Sequence, residues 1–336
     1  MKELRRLRAG VIGAGSFGSL HARAYVENPL TELVAVADID ERRAREVAAQ
    51  YGARPYMDFA VMLENERLDI VSVATPDDRH VGPAVHAAEA RVNILLEKPI
   101  AMDLEDADRI LKAVSKAGVK LMVNFILRFD PRYRMAHEYV VSGRLGEVVT
   151  MWARRSTLLD TARKYGRFSN LLHDVIIHDV DMFNLFAGSE PVRAYCVKVR
   201  KACSGIGVDD AYLGIISYGS GAAASFDTSW VLPSASPHWL DARFHVVGTA
   251  GAVYVDLQSH GLEVVTEDRV VRPDLSNWPV VGDRLYGNLR EAVAHFIDCV
   301  LSDRKPLPSG EDGRRALQVV LALKRASDLE TAVPLV

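Results

Sequence analysis

From Leu7 to about Asn124, short runs of aliphatic and β-branched residues alternate with stretches whose apolar positions recur at helical spacing. The runs are Arg8 to Gly13, Glu32 to Asp38, Asp69 to Thr75, Val92 to Glu97 and Val119 to Asn124. Between them lie amphipathic stretches such as Glu41 to Tyr51, Arg79 to Ala90 and Leu104 to Ala117. A strand that is apolar along its whole length must be covered on both faces, and strands separated by helices pair in parallel. This part of the chain therefore predicts an α/β, doubly wound parallel sheet.

After Pro131 the rhythm changes. The pattern predicts a helix over Arg132 to Ser142, a strand over Glu147 to Ser156, a polar loop, and a helix from about Asn170 to Phe186. Strand signals then follow one another with only Gly, Ser and Pro between them: Arg193 to Arg200, Ala211 to Tyr218, Ala222 to Trp230, His238 to Val247, Ala252 to Asp256 and Leu262 to Thr266. Consecutive strands without crossover helices predict an α+β domain on a large open, mostly antiparallel sheet. Two helices, Arg284 to Ser302 and Glu311 to Leu329, close the chain around a turn-rich segment. The expected division is 1–124 and 125–336, with the closing helix free to pack back on the first domain.

Composition narrows the classes. At 336 residues the chain is long enough for two domains, and 49% hydrophobic with 25% charged residues is ordinary globular usage. The net charge of -3 gives no electrostatic reason to expect nucleic acid or an anionic membrane as partner. The basic opening is not followed by the apolar core of a signal peptide, so the expected location is cytoplasmic. Cys196, Cys203 and Cys299 lack the paired spacing of a zinc site, and three reduced thiols are expected.

Gly13-Ala14-Gly15-Ser16-Phe17-Gly18 follows a predicted strand and opens a helical pattern, the context a dinucleotide site requires. Gly13 permits a tight turn, Gly15 a close backbone approach to a pyrophosphate, and Gly18 close helix packing, with Ser16 and Phe17 completing the loop. Asp38 ends the next strand, where a carboxylate accepts from ribose hydroxyls and repels a 2′-phosphate. That favours NAD, and Arg42 and Arg43 keep NADP open. Thr75-Pro76 follows the third run, at the edge where such sheets bind ligands. His80 nearby suits a cofactor contact or a plain surface or capping role equally.

Glu97-Lys98-Pro99 ends the fourth run, where Lys98 would face the same crevice. Its amine could polarise a substrate hydroxyl, aimed by an unusual peptide geometry before Pro99; the plainer reading sends it to solvent. Asp174, His178 and Asp181 recur at i, i+4 and i+7, on one helix face. His178 suits proton transfer near neutral pH, with Asp174 orienting it or binding a substrate hydroxyl. His173 and Asp179 fall on other faces and read as structural or interfacial. A metal on the His and carboxylates is the weaker option, since no other ligand motif accompanies them, and a buried, hydrogen-bonded histidine is the plainer one.

These residues, with the stretch Asn124 to Tyr133, resemble the Gfo/Idh/MocA oxidoreductases, which include glucose-fructose oxidoreductase and inositol dehydrogenases. The resemblance runs over nearly the whole chain. It implies an N-terminal Rossmann domain, a C-terminal domain whose open sheet forms homodimers or homotetramers, and a Lys-Asp-His constellation over a nicotinamide. Carried over, Lys98, Asp174 and His178 are catalytic and touch substrate. Glu97, Lys98 and Asn124 lie by the cofactor, and Arg128 by the substrate. The loop from Thr157 to Phe168, with Arg163, Lys164, Tyr165 and Arg167, shapes the pocket in such proteins.

The expected activity is hydride transfer between a secondary alcohol of a sugar or cyclitol and NAD(P). One alternative keeps the NAD tightly bound and recycles it within one active site, as in sugar-sugar oxidoreductases or redox glycosidases. A third is a non-catalytic dinucleotide-binding sensor, against which the retained lysine and histidine count.

Overall fold

The computed structural model describes residues 5–335. They fall into two compact units, the first running to Phe129 and taking in Ser276–Arg314, the second covering Asp130–Leu275 and the chain from Arg315. A segment far along the sequence thus rejoins the first unit, where the expected division is a single cut at 124/125.

In the first unit the order is β1 (Leu7–Ile12), α1 (Ser16–Glu27), β2 (Thr31–Ala37), α2 (Glu41–Tyr51), β3 (Arg54–Tyr56), α3 (Phe59–Asn65), β4 (Ile70–Val73), α4 (Val81–Glu89), β5 (Asn93–Leu96), α5 (Leu104–Ala117) and β6 (Leu121–Val123). The six strands are all parallel, in the order β3-β2-β1-β4-β5-β6. Strand order reverses between β1 and β4, and the crevice outside that reversal is where open sheets of this kind take ligands. β3 and α3 are additions to the sequence reading, being too short to show a period.

Aspartates start three of the helices. Asp40, Asp58 and Asp103 each accept a hydrogen bond from a backbone N–H in the first turn of α2, α3 and α5. Gly52 and Gly118 end α2 and α5 in the left-handed conformation. Helix α1 has no such cap, since Gly15 stands at its N-cap and no side chain caps it. Ile94, Leu95 and Leu96 are fully buried, which accounts for the unbroken apolar run of β5. The returning segment carries a short ribbon, Val280–Val281 with Arg284–Leu285, and a helix over Asn288–Leu301, shorter than the periodicity predicts because the ribbon takes its first residues. Phe296 and Ile297 of that helix join Ala22 and Tyr25 of α1 in one buried cluster, each large side chain contributing roughly 1.5–3 kcal/mol.

The second unit opens with α6 (Pro131–Val141), β7 (Val148–Leu158) and α7 (Leu159–Tyr165). A π-turn over Leu172–Ile176 then runs into α8 (Ile177–Ala187). Strands β8 (Pro191–Val199), β9 (Ala211–Tyr218), β10 (Ala223–Leu232), β11 (Leu240–Gly248) and β12 (Ala252–Asp256) follow. With the last short strand, Val333–Pro334, they form one seven-stranded sheet in which only β7 and β10 pair in parallel. The expected strand at Leu262 to Thr266 contracts to Val264–Val265, paired with Val270–Val271. Burial alternates along β10 and β11, the signature of a sheet covered on one face. On that covered face Phe183 stacks on Phe244 at 5.3 Å, and Phe186 meets it edge-on at 5.2 Å. The long helix Gly310–Leu329 begins in the first unit and ends in the second.

Arg155 of β7 and Asp179 of α8 form a fully buried bidentate pair, at 2.5 and 3.1 Å. Asp179 is thus structural, as its place off the Asp174 face suggests. Burial opposes the charge on Arg155, but the Asp179 carboxylate outweighs it and holds the guanidinium protonated. Removing one partner strands the other's charge, so Asp179→Asn or Arg155→Ala should each cost about 3–5 kcal/mol in urea unfolding, while the paired replacement Arg155→Met with Asp179→Leu should recover most of the loss.

Candidate active site

The register of the first sheet lines up its carboxyl edge. Ile12 pairs with Val73, Val73 with Leu96, and Leu96 with Val123. The residues that follow, Gly13, Glu97 and Asn124, with Thr75 one position further on, therefore stand along one edge. Gly13 has φ +96°, and a Cβ there would strike the Ala74 carbonyl at 2.5 Å. At Gly18 a Cβ would sit 1.6 Å from the Gly13 oxygen, so the helix can approach the strand only without a side chain. Gly15 differs, because a Cβ there meets nothing within 4 Å and its φ of -71° is ordinary. Its place at the N-cap of α1 suits a glycine, and its open side leaves room for a ligand over the loop.

Asp38 braces the same loop, accepting from Ala14 N at 2.7 Å and Asp40 N at 2.8 Å. Each oxygen has a further lone pair for a ribose hydroxyl. The uncapped first turn of α1 offers N–H groups and a partial positive charge. Ser16 is exposed, and half-buried Phe17 packs edge-on against Trp278 at 5.0 Å. These residues fit a dinucleotide: a cradle of backbone donors, an open glycine and a carboxylate on the neighbouring strand end.

The Lys98–Pro99 peptide is cis. Lys98 is half-buried, while the residues on either side are buried and each is held. Glu97 Oε1 accepts from His21 Nε2 at 2.8 Å and from Asn124 Nδ2 at 2.6 Å. Burial pushes the Glu97 carboxyl up, but the bonds from His21 and Asn124 and the charge of Lys98 together take it below the usual carboxylate range. On the other side Pro99 O lies 2.6 Å from His80 Nδ1, and His80 Nε2 lies 3.0 Å from Thr75 O. His80 is fully buried between these two carbonyls. His80 is thus not at the surface, its ring being enclosed between the Thr75-Pro76 turn and the Lys98-Pro99 turn. Thr75 spends its hydroxyl on Arg79 O, at 3.0 Å, and Pro76 is exposed.

In the second unit the segment 171–184 is buried at every position except Asp174 and His178. Those two are half-exposed, so a helix enclosed elsewhere shows one acid and one imidazole. The π-turn carrying Asp174 widens the helix just before His178, a local distortion that recurs at functional positions. Asp181 departs from the expected set, since it is fully buried and its charge helps to hold the Tyr218 phenol protonated, after burial itself. His173 is buried against Asn170 at 2.7 Å, a structural placement. The expected polar loop contains α7, on which Arg163 pairs with Asp160 at 2.8 Å and Lys164 lies over the Tyr165 ring.

Arg128 is half-buried. It pairs with Asp312 at 3.2 Å, and Asp312 also accepts from Ser309 N at 2.7 Å. The sequence reading missed His21, Ser72 and Tyr25. Signals were present: Ser72 is polar inside a run otherwise apolar, and His21 stands one turn beyond Gly18. Among the described residues no group of three or more His, Cys, Asp or Glu could hold a metal ion, and the three cysteines are free and buried.

Residues 7–125 match the oxidoreductase family with NAD-binding Rossmann fold, and residues 133–254 match the GFO/IDH/MocA C-terminal domain. The chain is 32% identical to the inositol 2-dehydrogenase of Rhizobium meliloti over 329 residues, 95% of this chain and 96% of that one. It is 28% identical to the myo-inositol 2-dehydrogenase of Thermotoga maritima, covering 98% of each. The crystal structure of myo-inositol 2-dehydrogenase from Lactobacillus plantarum superposes with a TM-score of 0.88 at 23% identity, over 99% of this chain and 100% of that one, a likeness of fold.

The open side of Gly15 yields a sharp test. Gly15→Ala should lower the unfolding free energy of the ligand-free protein by no more than about 1 kcal/mol, the cost of alanine at an N-cap, because the new methyl meets nothing. Calorimetry should meanwhile show NAD affinity reduced by about tenfold or more. A variant that binds NAD like wild type would remove the glycine from the phosphate cradle.

Proposed function

This chain belongs to the Gfo/Idh/MocA family of NAD-binding oxidoreductases acting on CH–OH groups, and from that premise we propose that it oxidises a secondary alcohol of a cyclitol or sugar to the ketone. The observation that carries the reading is selective exposure. Lys98 is half-open between two immobilised neighbours at the ligand edge of the first sheet, and Asp174 with His178 are the two half-open positions of an otherwise enclosed segment. The names of the relatives, inositol 2-dehydrogenases over essentially the full chain, support a polyol ring as substrate.

Gly13, Gly15 and Gly18 with the first turn of α1 would hold the pyrophosphate, and Asp38 the adenosine ribose, which selects NAD over NADP by like-charge repulsion. When bound, the nicotinamide supplies the hydride acceptor. Lys98 orients and polarises the substrate hydroxyl. His178 takes the hydroxyl proton as the carbon-bound hydrogen leaves with its electron pair, and Asp174 orients the imidazole or a neighbouring substrate hydroxyl. Three buried free thiols and dependence on an NAD pool suit the cytoplasm. Among the described residues no helix is long and apolar enough to cross a membrane.

The open face of the second sheet is the proposed surface of a homodimer or homotetramer. Tyr195 pairs across the ladder with Ile215, and Val197 with Leu213, all four among the exposed large hydrophobics. Trp152, His245 and Tyr254 continue the face as an aromatic row, with ring centroids 4.8 and 4.9 Å apart. Contiguous apolar surface of this kind is what subunit contacts cover.

Two measurements check the proposal. NADH absorbance across a panel of inositols and sugars should identify a substrate, and Lys98→Ala should lower kcat by about 10²–10⁴-fold without changing the fold seen by circular dichroism. Equal turnover by that variant would take the lysine out of the reaction, and protein that copurifies with NAD but releases no NADH would move the reading to internal recycling. In sedimentation velocity the wild type should run as a dimer or tetramer and Leu213→Glu with Ile215→Glu as a monomer; an unchanged profile would point to another surface.

A further inference from the structure

Behind Lys98 the first unit buries a continuous row of polar side chains that no step of the proposed reaction uses. Tyr25 Oη lies 2.7 Å from Ser72 Oγ, Ser72 Oγ 2.9 Å from His21 Nδ1, and His21 Nε2 2.8 Å from Glu97 Oε1. Tyr25, Ser72 and His21 are all fully buried, and Glu97 nearly so. One polarity satisfies every contact: Tyr25 donates to Ser72, Ser72 to His21, and His21 to the carboxylate. Burial holds the Tyr25 phenol protonated, so the row has a fixed donor at its far end. That end is closed to solvent, which makes the row a brace and not a proton exit.

A carboxylate buried to this degree costs several kcal/mol unless its lone pairs are met. Two elements meet this one directly, α1 through His21 and the end of β6 through Asn124, and β4 backs His21 through Ser72. We propose that His21 is a positioning residue for Lys98: by donating to Glu97 it keeps that carboxylate inside the sheet edge as the lysine's counter-charge, and not as a ligand of the nucleotide. The inference rests on the reading of Lys98 as the amine that acts on substrate. The charged or titratable groups on Glu97 are His21 from α1 and Lys98 from its own turn; Asn124 adds a neutral donor. Because Lys98 favours the ionised form of Glu97, the carboxylate favours the ammonium of Lys98 by the same amount.

The test reads the lysine directly. Reductive methylation with ¹³C-formaldehyde labels the amines, and the signal that disappears in Lys98→Arg is titrated by NMR in the ligand-free full chain. Glu97→Gln should move that titration to lower pH by about one unit or more, and His21→Leu should move it the same way by weakening the hold on the carboxylate. His21→Gln, which keeps an amide donor, should restore it in large part. In turnover, His21→Leu should reduce kcat by about tenfold or more with NAD affinity unchanged within about threefold, a split that loss of the cofactor site would not give. A Lys98 titration that stays at the wild-type position in Glu97→Gln or in His21→Leu overturns the proposal, and the near-isosteric Glu97→Gln keeps it exposed to failure if His21→Leu does not fold. Absence of turnover on any polyol by the wild type would sink the dehydrogenase reading while leaving the amine titration to judge the brace alone.

Discussion

A buried carboxylate organises the first unit. Glu97 sits at the end of a strand covered on both faces, where an unmet negative charge cannot persist. Its two donors come from His21, a turn beyond the glycine loop, and from Asn124, at the end of the neighbouring strand. Satisfying one acid therefore sets the seating of α1, the alignment of the strand ends and the backbone from which Lys98 emerges. The Gly18 contact acts at the same place from the other direction, since α1 reaches His21 to Glu97 only if it lies close enough to touch the Gly13 carbonyl. Close approach and charge satisfaction are two aspects of one constraint.

The second histidine, His80, extends the principle to the other side of the lysine. Its ring is enclosed between the backbone of two turns at the sheet's carboxyl edge. Catalytic groups are most precise when their support is rigid. Here two buried histidines flank the lysine's turn, His21 on the Glu97 side and His80 on the Pro99 side.

The second unit solves a different problem. A helix segment almost wholly enclosed must leave two polar side chains at its surface, and the sequence meets this by placing Asp174 and His178 at positions the packing leaves half-open. The neighbouring acid, Asp179, is drawn inward to pair with Arg155. Alternation of burial on β10 and β11 leaves the far side of the sheet free, and its valines, isoleucine and tyrosines are in excess of what a solvated face requires.

Periodicity alone determined the parallel sheet, the helices between its strands and the change to consecutive strands after Pro131, because those features follow from which positions along a short segment are apolar. The glycine turn, the place of Asp38 and the proximity of Lys98 to the ligand edge were legible for the same reason: each is set within one strand–turn–helix unit. Tertiary structure alone decided that His80 faces inward, that Asp181 is enclosed and that 276–314 returns to the first unit. It alone also brought His21 to Ser72 and Glu97, across 51 and 76 residues. Such contacts carry no local period, and a buried polar side chain is assigned its partner by the need to satisfy hydrogen bonds across elements that meet only once the sheet has formed.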